Sequence, residues 1–458
     1  MTAHAWEVDR NQGLRDKVLI VGLGRTGLSC ARYLAGLGVT VAITDSREQP
    51  PGLEALVREL PDTALFLGRF EPAAFAAAEQ LVVSPGVSLQ EPLIREARAR
   101  GVPVLGDVEL FARQASAPVA AITGSNGKST VTTLLGEMAD RAGRRPAVGG
   151  NLGRPALELL DSGVGLYVLE LSSFQLETLD SLAPAAATVL NLSADHLDRY
   201  SSFQAYAAAK ARILRRARVQ LLNRDDPRVM ALPRGPGEVR GFTLGEPAEG
   251  EFGIITRDGD AWLAQGSEPL LPAARLLVPG RHNRANALAA LALGDALGLP
   301  MAPMLEALGR FRGLPHRTQF VGEYRGVRWY NDSKGTNPGA CVAALEGLHQ
   351  PGSGGRTVLI AGGDAKGADF APLTPVLLRT ARAVVLIGRD APRVEAALDP
   401  DTPRRHAAGL DQAVQLAAEQ ARPGDRVLFS PACASFDMFR NYEQRGEAFM
   451  ESVRRLLA

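Results

Sequence analysis

The sequence predicts an α/β protein of three domains, and three observations carry that expectation. Short Val-, Leu- and Ile-rich runs recur along the chain and stop at loops bearing Gly, Ser or Asp. Between them, apolar residues return at helical spacing. The length, 458 residues, is about three times a common domain. With 46% apolar and 22% charged residues each domain can bury a core. Lys plus Arg (51) nearly cancels Asp plus Glu (50), so the charge gives no reason to expect nucleic acid. Cys30, Cys341 and Cys433 are odd in number and far apart, which predicts free thiols and a cytoplasmic location. The opening MTAHAWEVDRNQGLRDK lacks a signal peptide's apolar core, and Asp295 interrupts the longest apolar helix pattern, so no membrane span is expected. No internal repeat is visible.

The first strand, Val18 to Val21, runs into Gly22-Leu23-Gly24-Arg25-Thr26-Gly27 and a helix that ends near Gly36. A second strand, Val39 to Thr44, ends in Asp45. Such glycines permit a tight turn against a pyrophosphate, and the acid can take ribose hydroxyls, a Rossmann-like fingerprint. These residues alone leave open a nicotinamide or flavin dinucleotide, another nucleotide, or a bare turn. A strand at Leu81 to Val83 stops at Ser84-Pro85-Gly86, either the same crevice or a simple turn.

The next unit centres on Val119 to Leu135. Val119 to Ile122 reads as a buried strand, and Val131, Leu134, Leu135 and Met138 recur at helical spacing. Between them lies Gly124-Ser125-Asn126-Gly127-Lys128-Ser129-Thr130. Inward-turned N–H groups, a helix N-terminus and the Lys128 charge form a cradle that fits a triphosphate. The hydroxyl of Ser129 or Thr130 is suited to the accompanying Mg²⁺. The P-loop is a shortened one, since Ile122 stands where the usual spacing has Gly.

Further along, Gly149-Gly150-Asn151 is a turn whose Asn could touch a substrate. The strand Leu166 to Leu169 ends on Glu170, a Mg²⁺ carboxylate or a helix-capping acid. Thr188 to Leu192 runs into Asp195-His196, where the histidine is catalytic, metal-binding or structural. Ser201 and Gln204 predict a capping box for a helix through Leu214. Its apolar stripe, Phe203, Tyr206, Ala207, Ile213 and Leu214, also carries Lys210. A lysine there either snorkels or has a task, because burying an ammonium is costly. Short strands and turns are expected from Asn223 to Leu277. Pro279-Gly280 then opens an Ala/Leu-rich helix with Asn283 and Asn286 on one face, placed for a base, a ribose or helix capping.

The third unit begins near Leu314. Val327 to Tyr330 runs into Asn331-Asp332-Ser333-Lys334-Gly335-Thr336-Asn337, a loop too dense in acid, base, amide and hydroxyl for a casual turn. Val358 to Ala361, Val384 to Ile387 and Val427 to Phe429 end in small or glycine-rich loops, which predicts a second open α/β sheet with a ligand crevice. Gly352 to Gly355 reads as an exposed loop.

Eleven segments together resemble the Mur ligase family: GLGRTG (22–27), TGSNGKST (123–130), GGN (149–151), LELSSFQLE (169–177), SADHLDRY (193–200), YAAAK (206–210), HNRANA (282–287), GLPHRT (313–318), NDSKGTN (331–337), GGDAKGADF (362–370) and SPACASFDMFRNYEQRG (430–446). They span the chain in order. The resemblance implies a Rossmann-like UDP-substrate domain at 1–106, a central P-loop ATP domain at 107–313 and a Rossmann-like C-terminal ligase domain at 314–458. It implies ATP-dependent joining of D-glutamate to UDP-N-acetylmuramoyl-L-alanine through an acyl phosphate, in peptidoglycan precursor synthesis by a cytoplasmic monomer. Thr26, Asp45, Ser46, Arg47, Ser84, Gly86 and Asn151 would hold the UDP substrate. Gly124 to Thr130, Asn283, Asn286, Arg317 and Asp332 would hold ATP. Two Mg²⁺ would be held by Ser129, Glu170, His196 and a carbamylated Lys210. Thr336, Lys366, Ser435 and Phe436 would receive the amino acid, with Lys128, His196, Lys210, Lys334 and Lys366 catalytic. The chain departs from the family at Phe436, often Leu, and at Gly335, often Ala. A folylpolyglutamate synthase would lack the Gly22 to Asp45 fingerprint, a dehydrogenase would leave the P-loop idle, and a regulatory P-loop NTPase would leave NDSKGTN and GGDAKG idle.

Overall fold

The computed structural model describes residues 14–196, 199–278, 280–349 and 354–457. The N-terminal stretch read for a signal peptide, Leu197 and Asp198 of SADHLDRY, Pro279, and residues 352–353 of the expected exposed loop lie outside the described residues.

The continuous apolar runs become strands covered on both faces, as parallel sheets require. In the first sheet the order is Ala64–Leu67, Thr40–Asp45, Lys17–Val21, Gln80–Val83 and Val104–Leu105, all parallel. Val18 and Ile20 enter one buried cluster, Leu19 and Val21 another. The helix Arg25–Gly36 follows the glycine turn, where a Cβ on Gly27 would come within 2.0 Å of the Gly22 carbonyl oxygen.

The central sheet has nine strands. Seven are parallel: Phe252–Arg257, Glu238–Phe242, Val219–Asn223, Ala186–Val189, Val119–Thr123, Leu166–Glu170 and Pro146–Gly150. A meander of Phe252–Arg257, Asp260–Gln265 and Glu268–Pro272 extends one edge, its first turn made by Asp258 and Gly259, both at positive φ. Val119 and Ala121 face one cluster while Ala120 and Ile122 face the other. The second cluster is shared by the helices Lys128–Arg141, Arg281–Ala296 and Met301–Arg310. Leu288, Leu291 and Leu293 are fully buried there, each contributing about 2 kcal/mol.

The third sheet runs Gln319–Tyr324, Val327–Asn331, Arg426–Phe429, Thr357–Gly362, Ala381–Ile387 and Arg404–His406, with only the first pair antiparallel. The two joints between sheets differ in kind. The linker helix Asp107–Ala112 inserts Val108, Leu110 and Phe111 into a cluster continuous from Val18 to Tyr167, with the Phe111 and Tyr167 rings edge to face at 4.9 Å. The clusters of the third unit contain only its own residues. Among the described residues it meets the P-loop through side-chain hydrogen bonds: Arg317 and Lys334 to Ser129, and Asn337 to Asn126 and Asp195.

One expected cap is corrected. The helix Phe203–Ala211 is capped by Ser202, whose hydroxyl accepts from the Ala205 N–H at 3.1 Å, not by Ser201 with Gln204. The capping box lies instead at Ser172 and Gln175, opening the short helix Ser173–Leu176. Adjacent serines give sequence patterning no means to choose the register. No helix among the described residues is long and apolar enough to cross a membrane.

Candidate active site

Gly127 holds the P-loop turn at φ 83°, and a Cβ there would lie 2.4 Å from Asn286 Oδ1. The loop is pinned by Asn191, whose Oδ1 accepts from the Asn126 N–H at 2.8 Å and whose amide donates to the Asn126 carbonyl at 3.0 Å. The Ser125 hydroxyl pairs with Tyr206 Oη at 2.9 Å. Beside it opens a cavity of about 250 Å³. Asn126, Gly127, Thr130, Asn283, Asn286, Arg317 and Asp332 line it, so most of the expected ATP residues converge from two units. Gly124, Ser125, Lys128 and Ser129 do not line it. Lys128 Nζ folds back to donate to the Gly124 and Ser125 carbonyls at 2.9 Å each, and burial lowers its pKa. Ser129 Oγ accepts from Arg317 at 3.0 Å and Lys334 at 3.3 Å. The sequence reading missed His282, Asn223, Phe242 and Thr318 in this lining; His282 stood unread inside HNRANA. Burial pushes the Asp332 carboxyl up to about 6 against hydrogen bonds from Ser430 (2.6 Å) and the Thr318 N–H (2.9 Å).

Behind the loop, Glu170 is 2% exposed. Its Oε1 accepts from Asn151 Nδ2 at 2.8 Å, while Oε2 is buried without a hydrogen-bond partner. Burial alone would raise its pKa, but the Lys128 charge and neighbouring donors bring it below the ordinary value, so the carboxylate stays ionised. A desolvated anionic oxygen with no donor fits a hard cation. Lys210 is 2% exposed, donates to the Gly124 carbonyl at 2.9 Å and Thr123 Oγ1 at 3.4 Å, and lies 4.8 Å over the Tyr206 ring. Burial, then the Lys128 charge, holds its pKa well below the usual lysine range. His196 packs on Phe174 at 4.9 Å between ring centroids, with Nε2 at 3.8 Å from Asp195 Oδ2. Burial lowers its pKa, and Lys366, Lys128 and Lys210 add to this against Asp195, which favours the neutral imidazole a metal needs. Among the described residues no group of three His, Cys, Asp or Glu converges. The expected ligand set does not rely on one.

A second cleft, of about 450 Å³, opens between the first and central sheets. Thr26, Asp45, Ser46, Arg47, Ser84, Gly86 and Asn151 all line it, joined by Arg25, Phe70 and Gln175, which the sequence reading did not single out. Asp45 is less available than the fingerprint suggests. Its oxygens already accept from the Leu23 N–H at 2.7 Å, the Arg47 N–H at 2.9 Å and the Arg47 guanidinium at 2.8 and 2.7 Å. Gln175 is fixed by Ser172 and by Asp107, whose Oδ2 accepts from Nε2 at 3.1 Å. Asn151 reaches both places: it lines this cleft while its amide and its N–H (2.8 Å to the Glu170 carbonyl) hold the metal-type carboxylate.

The C-terminal residues fall into two groups. Lys366, at φ 46°, extends over the exposed Phe436 ring at 5.1 Å, and Ser435 lies buried beside it in sequence. Lys334 instead turns to the P-loop and to Tyr442 Oη at 3.0 Å, and burial followed by the Arg317 charge lowers its pKa to about 8. The Thr336 N–H donates to the Lys334 carbonyl at 2.9 Å. Arg445, fully buried and absent from the sequence reading as a single residue, ties the two loops together. Its guanidinium donates to Ser333 Oγ and to the carbonyls of Ser333, Cys433 and Ala434 at 2.8 to 3.1 Å.

Fold and site define a three-unit P-loop enzyme whose triphosphate-type cradle adjoins a second, glycine-lined nucleotide-type cleft. Residues 16–106 match the Mur ligase MurD-like N-terminal domain, 122–294 the Mur ligase middle domain and 316–433 the Mur ligase glutamate ligase domain. The chain belongs to the Mur ligase family. A relative from Nitrosococcus oceani, named UDP-N-acetylmuramoylalanine--D-glutamate ligase, is 57% identical over 441 residues, covering 96% of this chain and 97% of its own. One of the same name from Marinobacter nauticus is 54% identical over 439 residues, covering 95% and 98%. Among solved structures, the UDP-N-acetylmuramate-alanine ligase MurC of Thermotoga maritima superposes with a TM-score of 0.61 at 22% identity, covering 96% of this chain and 99% of that one. FolC of E. coli, in complex with DHPP and ADP, gives 0.56 at 18%, covering 77% and 94%. These two likenesses show the shared fold.

Proposed function

We propose that the chain joins D-glutamate to the alanyl carboxylate of UDP-N-acetylmuramoyl-L-alanine with hydrolysis of ATP to ADP and phosphate. The observation that carries this reading is the double engagement of Asn151, which couples a nucleotide-type cleft to the buried carboxylate behind a triphosphate cradle. The relatives' shared name supports the choice of substrates. The alanyl carboxylate attacks the γ-phosphate to give an acyl phosphate, and the amine of D-glutamate then displaces phosphate through a tetrahedral intermediate.

Every reacting species is anionic, so the residues' first task is to offset repulsion. Arg317 and Lys334 bring two cations to Ser129, and Lys128, bonded to the Gly124 and Ser125 carbonyls, adds a third on the same loop. Mg²⁺, held by Glu170, Ser129, His196 and Lys210, would neutralise charge on the triphosphate and the carboxylate. We assign two ions, and Lys210 as a carbamate. A neutral amine is what carbamylation needs, the burial of Lys210 favours that form, and the product is an anionic oxygen ligand. Lys366, Thr336, Ser435 and Phe436 receive the amino acid, and Asn283 and Asn286 meet the base or ribose of ATP. Divided at 1–106, 107–313 and 314–458, the three domains would hold the UDP substrate, ATP and the amino acid respectively. A monomer acting on small molecules in the cytoplasm completes the proposal.

Phosphate release from ATP tests it. Release should require both UDP-N-acetylmuramoyl-L-alanine and D-glutamate, with L-glutamate, L-lysine and meso-diaminopimelate failing to substitute. ATP consumption indifferent to the sugar nucleotide would overturn the assignment.

A further inference from the structure

A third cleft, of about 540 Å³, lies between the first and central units on the far side of the Ser84–Gly86 turn, and the ligase chemistry leaves it unused. Ser88 to Gln90 and Arg98 come from the first unit; Glu177, Arg199, Tyr200, Arg212 and Arg215 come from the central one. Four guanidiniums thus face one carboxylate. Among the described residues, Glu177 feels the charges of Arg199, Arg212 and Arg98 but forms no ion pair with any of the four, and the exposed side chains of Arg98 and Arg215 have neither an ion pair nor a hydrogen bond. Arg212 donates through Nη2 to the Leu179 carbonyl, yet its Nε is buried with no partner. Arg199 is anchored by the Gly86 and Val87 carbonyls at 3.1 and 3.3 Å, which sets its charge at the seam.

Like charges gathered in one concavity repel each other, and a buried guanidinium N–H without an acceptor costs free energy. An anion answers both. Arg presents parallel N–H groups that match phosphate oxygens two at a time. The cleft is somewhat larger than the 450 Å³ cleft beside it, so there is room for a nucleotide-sized molecule. From these residues we infer that the cleft binds a small phosphorylated molecule, whose phosphate or pyrophosphate group bridges Arg98 of the first unit to Arg199, Arg212 and Arg215 of the central one.

The test is calorimetric titration of the full chain with inorganic pyrophosphate, run side by side on wild type and R98A/R215A so that any uptake by the other two clefts is common to both. Wild-type protein should take up one equivalent that R98A/R215A binds at least tenfold more weakly, with an unchanged melting temperature. Neither arginine lines the other two cavities, so this loss is distinct from any failure of the ligase assignment. R98K/R215K, which keeps the charge but not the paired N–H groups, should fall in between. Wild-type protein that takes up no pyrophosphate under these conditions, or a double Ala variant that titrates like wild type, overturns the inference.

Discussion

Replacing Lys210 by Met separates what this lysine does for the fold from what it does for the reaction. Its two acceptors do not need it. The Gly124 carbonyl also accepts from Lys128 Nζ at 2.9 Å, and Thr123 Oγ1 donates to the Leu171 carbonyl at 2.7 Å. Met therefore strands no polar atom. Two hydrogen bonds are lost, about 1 kcal/mol each, while a buried amine whose desolvation costs about 1–3 kcal/mol even when neutral disappears. The net effect on stability is about zero or slightly favourable. Turnover should respond differently, because on the proposed assignment a metal ligand goes with the side chain: a fall of 10²- to 10³-fold is expected, about 2.7–4 kcal/mol of transition-state stabilisation. Urea unfolding and phosphate release, measured on the same preparation, give both numbers. K210A should regain part of its turnover with millimolar acetate or formate. A K210M protein that folds normally and turns over within threefold of wild type would refute the assignment of Lys210 to the metal site.

Burial raises the Asp107 carboxyl to about 6 from 3.8, so the folded state holds its proton more tightly than the unfolded chain does. The aspartate's contribution to stability thus declines as pH rises from about 4 to about 6, and D107N should be more stable than wild type at pH 7.5 by up to about 3 kcal/mol and equal to it near pH 4, read from urea midpoints at both pH values. G127A forces a side chain into a left-handed backbone and against Asn286; ATP KM should rise about tenfold while UDP affinity, followed by calorimetry, stays constant. R445M leaves the Cys433, Ala434 and Ser333 carbonyls without that donor and should destabilise the C-terminal unit by roughly 3–5 kcal/mol, with Lys restoring only part of it in a denaturation curve.

What was legible in the sequence were strand ends and glycine loops. Gly22 to Gly27, Gly124 to Thr130 and Asn331 to Asn337 all sit where parallel strands hand over to loops, because period and loop composition are local signals. The lysine on an apolar stripe was legible for the same reason. Long-range partners were not. Nothing in the spacing showed that Arg47 would occupy Asp45, that Lys128 would turn back on its own loop, or that Lys334 would cross to Ser129. Arg445 passed unnoticed because a buried guanidinium satisfied by carbonyls looks, in one dimension, like any surface arginine on an amphipathic helix.

The unlike joints between the three sheets have a thermodynamic consequence. Parting the first sheet from the second would wet Val108, Leu110 and Phe111, so heat should melt those two as one cooperative block. The third sheet is moored by amides, a guanidinium and an ammonium that water can replace almost one for one, and by the packing of the helix Pro338–Leu348 on Arg281–Ala296, where the His282 ring lies against Gly347. No shared hydrophobic cluster joins it to the second sheet as one joins the first, and a scanning calorimeter should record its unfolding as a separate endotherm.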